Sequence, residues 1–344
     1  MMKKILNIIM KGFGLLLITI VSILITLFIT LKLITSNVSP TAKTLFVTTI
    51  LETGQMKFLA SWLLPEDEIK KIVDSNKMED LDLEEDKDLI QIGTQDKDAI
   101  EIINIPGNSF GAKMMIVNDP SRLKLSTTYP WKEYGLELDK LVKQVDAIGG
   151  INGGLYESTL NKGGRPLGVV VADGQIQMNR PGMGGLHLIG FDEDNLLRII
   201  DLSGYSAKKV EDLVKKERIR DAVSFQEQMD KDVNHFVKLI VNGTPRETKG
   251  TGSGGNPRTA IGQRKDGTVL LLVTDGRGKN GHLGATAADL IKIMKNQGAV
   301  NAANLDGGSS TSMYYNDKYE MTSVTLYYSN SSWKLPAAFV IEKR

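Results

Sequence analysis

Two carboxylates, two arginines and one asparagine stand beside glycines or at the ends of apolar runs, where a folded core has no need of them. Asp306 follows Asn304-Leu305 and opens Gly307-Gly308-Ser309-Ser310-Thr311-Ser312. A carboxylate backed by successive N–H and hydroxyl donors is either a chemical group beside an anion nest or a plain hairpin turn. Asp275 and Arg277 lie in Thr274-Asp275-Gly276-Arg277-Gly278, directly after the apolar run Val269–Val273. Extended backbone puts them on one face, where they line a crevice or pair with each other. Arg258, in Asn256-Pro257-Arg258-Thr259, is a surface charge or a planar fork for two phosphate oxygens. Asn152 sits within Gly149-Gly150-Ile151-Asn152-Gly153-Gly154-Leu155-Tyr156, and either turns the chain or offers its amide to a sugar hydroxyl.

As a set these groups suit an anionic, hydroxyl-rich ligand such as a sugar phosphate. The chain lacks a P-loop, a His-Glu-x-x-His helix and a Gly-x-Ser-x-Gly elbow. His187, His235 and His282 are scattered, which argues against a histidine metal cage. His187 reads as structural. His282 keeps a functional reading because Gly281-His282-Leu283-Gly284 follows Arg277 so closely. Cysteine is absent, so disulfides and thiolate chemistry are excluded together. A formal net charge of +1, without a local basic cluster, argues against a nucleic-acid partner.

The elements that must position these residues are mostly short strands. Ala99–Ile105 and Ala112–Val117 are β-like around Pro106-Gly107-Asn108. Asp173-Gly174 and Asp266-Gly267 mark hairpins within 167–178 and 260–274. The spacing of Leu138, Leu141, Val142 and Val145 predicts a helix over 135–146, and Ser206–Gln228 reads as helical at first and then irregular. Thr286 and Asp289 predict the capped start of a helix over 287–297 that Gly298 ends. Strands follow at Val300–Leu305, Met313–Tyr315 and Ala337–Glu342. The expected fold class is α+β, with a mixed, largely antiparallel sheet and a few packed helices.

At the N-terminus, Lys3, Lys4 and Lys11 precede an apolar run from Gly12 to Leu31, about 20 residues and long enough to span the hydrocarbon core. No small-residue cleavage site follows, so an uncleaved anchor is expected rather than a removed signal. The lysines put residues 1–11 in the cytoplasm and the chain after the 12–33 anchor outside. Residues 34–88 read as a helical juxtamembrane segment ending in the acidic stretch Ser75–Asp88, a solvated linker or a charged helix surface. Residues 89–344 form the expected domain.

Arg258-Thr259-Ala260-Ile261-Gly262, Asp275-Gly276-Arg277, Gly284-Ala285-Thr286 and Asn304-Leu305-Asp306-Gly307-Gly308-Ser309-Ser310 occur in this order. The arrangement resembles the phosphodiester glycosidase family from about residue 99 to the last residue. The resemblance implies hydrolysis of a sugar-1-phosphodiester with release of free sugar, and the expected anchor adds that the substrate is a glycan or envelope polymer outside the membrane. It implies Asp306 as the chemical carboxylate, Asp275 as an orienting or base partner, and Arg258 and Arg277 on the phosphodiester. Asn152, Thr259, His282, Ser309 and Ser310 would then contact substrate, with no cofactor and no metal ligand. Leu155 departs from the family's aromatic, and Lys334, in Trp333-Lys334-Leu335-Pro336, stands near a customary arginine. A non-catalytic sugar-phosphate binding module in envelope or exopolysaccharide assembly is the alternative.

Overall fold

The run Val269–Thr274 is buried on both faces, and its alternation explains the architecture. Val269, Leu271 and Val273 point into a core shared with Ile151, Phe191, Val223 and Phe339. Leu270 and Leu272 point the other way, onto Leu290, Ile293 and Met294 of the helix Ala287–Asn296. A strand sandwiched in this way must read as one continuous apolar run. The computed structural model describes residues 2–53, 56–93, 96–229, 234–323 and 331–344.

Three sheets converge on the shared core. The largest has the order Ile100–Pro106, Gly111–Val117, Val269–Thr274, Thr259–Arg264, Ala299–Asn304, Lys238–Val241, Thr244–Pro245. The second runs Lys318–Thr322, Ser312–Tyr315, Ala147–Asn152, Ala337–Glu342, Leu123–Thr127. The third runs Gln175–Asn179, Val169–Ala172, Ile219–Gln226, Leu186–Asp192, Leu197–Asp201. Every strand pairing among the described residues is antiparallel, so the fold is α+β with antiparallel sheets. Each sheet carries a helix on its outer face: Ala287–Asn296 on the first, Leu138–Lys143 on the second and Ala207–Lys216 on the third.

Local signals account for the turns. Val169–Ala172 and Gln175–Asn179 join through Asp173-Gly174, and Thr259–Arg264 and Val269–Thr274 join across Asp266-Gly267. Thr286 accepts from the Asp289 N–H while the Asp289 carboxylate accepts from the Thr286 N–H, the reciprocal cap anticipated for Ala287–Asn296. The irregular segment expected toward Gln228 is instead the strand Ile219–Gln226, central in the third sheet. Two of its polar residues bond inside: Asp221 Oδ1 accepts from the N–H groups of Leu125 and Asp173, and the Ser224 hydroxyl donates to the Val169 carbonyl.

The helix Met2–Ile34 is long and apolar enough to cross a membrane, and none of its residues is buried. Three short helices follow, Pro40–Leu51, Phe58–Leu63 and Glu66–Asp74, sharing a small core of Val47, Ile50, Ala60, Leu63, Ile69 and Ile72. The acidic stretch after them lies along the domain. Met78 is buried, and Glu85 Oε1 accepts from the Ile199 N–H beside Arg198.

Candidate active site

Neighbouring strands of the large sheet, together with Ala147–Asn152 of the second, end side by side and deliver the candidate residues. The main chain stitches these ends together. Leu305 N–H donates to the Thr259 carbonyl at 2.8 Å, Gly308 N–H to the Pro257 carbonyl at 2.8 Å, and Asp306 N–H to the Gly153 carbonyl at 3.4 Å.

Asp306 is the chemically unusual group. Burial pushes its carboxyl up to about 7, against the opposing pull of the Ser310 hydroxyl, the Gly307 N–H and the Arg277 charge. The Ser310 hydroxyl also lies 2.8 Å from the phenol oxygen of Tyr156. Burial raises Tyr156 further, and so does the neighbouring Asp306, so the phenol stays protonated. With Tyr156 donating to Ser310 and Ser310 to Asp306, a buried chain of hydroxyls supports the ionised carboxylate. Tyr156 was legible only as the end of the glycine-rich segment, and its partnership with a residue so distant in sequence was not.

Arg277 arches over the turn that follows Asp306. Its Nη1 donates to the Ser309 hydroxyl at 2.7 Å, and a Cβ on Gly308 would lie 2.7 Å from its Nη2. Gly308 also has a φ of +61°, so the backbone favours glycine there and a Cβ would push the guanidinium aside. Arg277 itself holds a left-handed φ of +54°, which costs a non-glycine residue and aims its side chain at the turn.

Asp275 is buried and fully engaged. Its carboxylate accepts from the Gly111 N–H at 2.6 Å, from His282 Nδ1 at 2.8 and 2.9 Å, and from Asn280 Nδ2 at 3.4 Å. These contacts fix the loop carrying Arg277 and orient His282, whose side chain is part-exposed. The loop is pinned again where Gly276 pairs with Gly284. A Cβ on Gly284, at φ +131°, would meet the Asn256 backbone at 2.5 Å. Asp275 and Arg277 do not pair with each other.

Asn152 has no exposed surface. Its Nδ2 donates to the Asp306 carbonyl at 2.6 Å, while Oδ1 accepts from the Thr259 hydroxyl at 2.8 Å and the Ser312 N–H at 3.1 Å. Thr259 is equally buried. Together they tie the Asp306 turn to both sheets, with both ends of the Asn152 amide hydrogen-bonded inside the protein. Asn152→Ala removes three buried hydrogen bonds and is expected to lower unfolding free energy by about 3 kcal/mol, read from urea unfolding.

Arg258 extends away from this turn, over the Phe236 ring at 5.0 Å. Its Nη2 donates to the Glu52 carboxylate at 2.6 Å, to the Gly254 carbonyl at 2.9 Å and to the Ser253 hydroxyl at 3.2 Å. The Glu52 carboxylate also accepts from the Gly254 N–H at 2.6 Å and from Asn256 Nδ2 at 3.1 Å. An acidic side chain at the end of the helix Pro40–Leu51 therefore fills the anion seat expected of Arg258. Nothing in the sequence signalled Glu52, because its partners lie some two hundred residues away. Lys334, near the position of a customary arginine, rests over the Tyr134 ring at 4.8 Å.

Residues 146–342 match the phosphodiester glycosidase family, more than half of the chain. The chain belongs to the phosphodiester glycosidase family. The strands Gly111–Val117 and Leu123–Thr127 precede the matched region yet pair into two of its sheets, so the folded unit begins earlier. The SPbeta prophage-derived uncharacterized protein YomE of Bacillus subtilis (strain 168) is 26% identical over 204 residues, 58% of this chain and 28% of YomE. The chain thus spans just over a quarter of the length of that curated relative. The catalytic domain of zebrafish N-acetylglucosamine-1-phosphodiester alpha-N-acetylglucosaminidase, auto-inhibited by its pro-peptide, has a similar fold. It matches with a TM-score of 0.53 and 20% identity, over 74% of this chain and 87% of that one. At that identity the likeness of this chain to the zebrafish enzyme is one of fold.

Proposed function

We propose that this phosphodiester glycosidase hydrolyses the glycosidic bond of a sugar-1-phosphodiester outside the cell membrane, in a glycan or envelope polymer, while tethered by its N-terminal helix. The observation that carries the reading is Asp306, a largely buried carboxylate pushed up to about 7 beside a glycine turn and Arg277. A group titrating near neutrality is suited to take a proton from water at the pH where it works. Water oxygen attacks the anomeric carbon, Asp306 accepts the water proton, and the bond from that carbon to the phosphate oxygen breaks. The phosphomonoester leaves with the electron pair. Arg277 is the basic group nearest the turn and would hold the departing phosphate, with Ser309 and the Gly308 backbone beside it. Asp275, His282, Asn152 and Thr259 keep this arrangement in place, and Arg258, paired with Glu52, ties the strand carrying Thr259 to the neck helices.

Support for the tether comes from the length of Met2–Ile34, about 50 Å as a helix, and from the lysines at its start. The test is product analysis after incubating the full chain with a glycosyl methyl phosphodiester. Free sugar and methyl phosphate are expected. Sugar 1-phosphate would mean an ordinary phosphodiesterase, and heat of binding without turnover would mean a binding module. Because Asp306 must be ionised to act as base, kcat/KM is expected to fall tenfold per pH unit below about 7. A profile that declines above 7 instead would assign Asp306 the role of acid.

A further inference from the structure

We propose that the short helix Phe58–Leu63 lies in the headgroup region of the bilayer, with Phe58 and Trp62 as aromatic anchors that fix the height of the domain above the lipid. This rests on the reading of Met2–Ile34 as a membrane helix and adds a second, lateral contact to it.

The helix has two unlike faces. Ala60 and Leu63 are buried in the small core formed with Pro40–Leu51 and Glu66–Asp74. Phe58 and Trp62, four residues apart and so on one side, are 65% and 62% exposed. Val38, in the link between Met2–Ile34 and Pro40–Leu51, is 77% exposed. Large side chains left open on so small a unit call for a covering surface.

Contact with the long helix identifies that surface. The Trp62 ring meets the Phe28 ring edge-on, with centroids 6.0 Å apart. Phe28 belongs to the apolar run, so Trp62 sits at the depth where that run ends. Lys32 Nζ, one turn beyond Phe28, donates to the Leu63 carbonyl at 3.3 Å. An apolar ring, an indole and a lysine at one level match the composition of a membrane interface, where amphipathic rings and snorkelling lysines collect. A helix lying in that plane buries its apolar face at the headgroup and acyl boundary. The Glu52 and Thr49 contacts to Gly254 and Gly255 then make the neck a stiff spacer between lipid and catalytic domain.

The full chain and its Trp62→Phe variant are reconstituted in phosphatidylglycerol and phosphatidylcholine vesicles whose acyl chains carry bromine near the carbonyl end or near the chain middle. In the unsubstituted protein one of its three tryptophans is expected to emit at shorter wavelength and to be quenched most by the shallow bromines. That quenched share vanishes in Trp62→Phe, a surface change that leaves the small core intact. Equal quenching in the two proteins, while both float with the vesicles, overturns the lateral contact and leaves the membrane helix standing. Failure to float removes both. A blue shift that disappears on dilution in lipid overturns the proposal in favour of a second copy covering the face.

Discussion

Asp306→Asn is expected to lower kcat/KM by about a thousandfold, the contribution of a positioned base, and also to make the protein more stable at alkaline pH. The loss of rate follows because asparagine cannot take the water proton. The gain in stability follows from linkage. The carboxyl sits at about 7 in the folded chain, against 3.8 when exposed, so between those values the folded state holds a proton that the unfolded state has lost. Stability therefore declines as pH rises through that window and reaches its full deficit above about 7. Asparagine carries no charge to desolvate. Allowing for the partial exposure of Asp306, the gain is of order 2 kcal/mol at pH 8 and close to nil near pH 4. Urea unfolding of both proteins at the two pH values, beside product release, reads the two effects. Undiminished release of sugar by Asp306→Asn would remove Asp306 from the chemistry, and an identical stability difference at both pH values would remove the burial argument.

Glu52→Ala is expected to cost about 3 kcal/mol of stability, a large effect for a residue far from Asp306 in sequence. It leaves Arg258, a residue only 8% exposed, without its carboxylate, and leaves the Gly254 N–H without an acceptor. Breaking a buried pair from one side is costly because the remaining charge stays buried. Glu52→Ala/Arg258→Met removes both charges and should recover much of the loss, which a double-mutant cycle in urea would quantify. Additive losses would mean that the pair is not coupled.

How much of this was legible in the sequence depends on how far apart the partners lie. The Asp-Gly hairpins and the Thr286–Asp289 cap are local, and their residues sit within a few positions of one another. The apolar run Val269–Val273 could be recognised as a buried strand because both of its faces are covered. Ile219–Gln226 escaped because Arg220, Asp221 and Ser224 make it look like surface, while their partners come from Leu123, Leu125 and Val169. The acidic stretch misled for the same reason, since Glu85 faces Arg198 across the fold. At the site, glycine patterning and order along the chain brought out Asp306, Arg277 and Asp275. What Asn152 and Arg258 touch depends on strand ends and a neck helix that only the folded chain brings together.

Ala337–Glu342 lies inside the second sheet, hydrogen-bonded to Leu123–Thr127 on one side and to Ala147–Asn152 on the other. The first of these strands to be synthesised waits, unpaired, for the last. Should the chain thread outward behind its N-terminal helix, that sheet cannot close until Ala337–Glu342 has crossed. Contacts of such wide sequence separation form slowly and expose strand edges in the meantime. On that route the arrival of Ala337–Glu342 across the membrane, rather than synthesis of any one segment, would be the step that times folding.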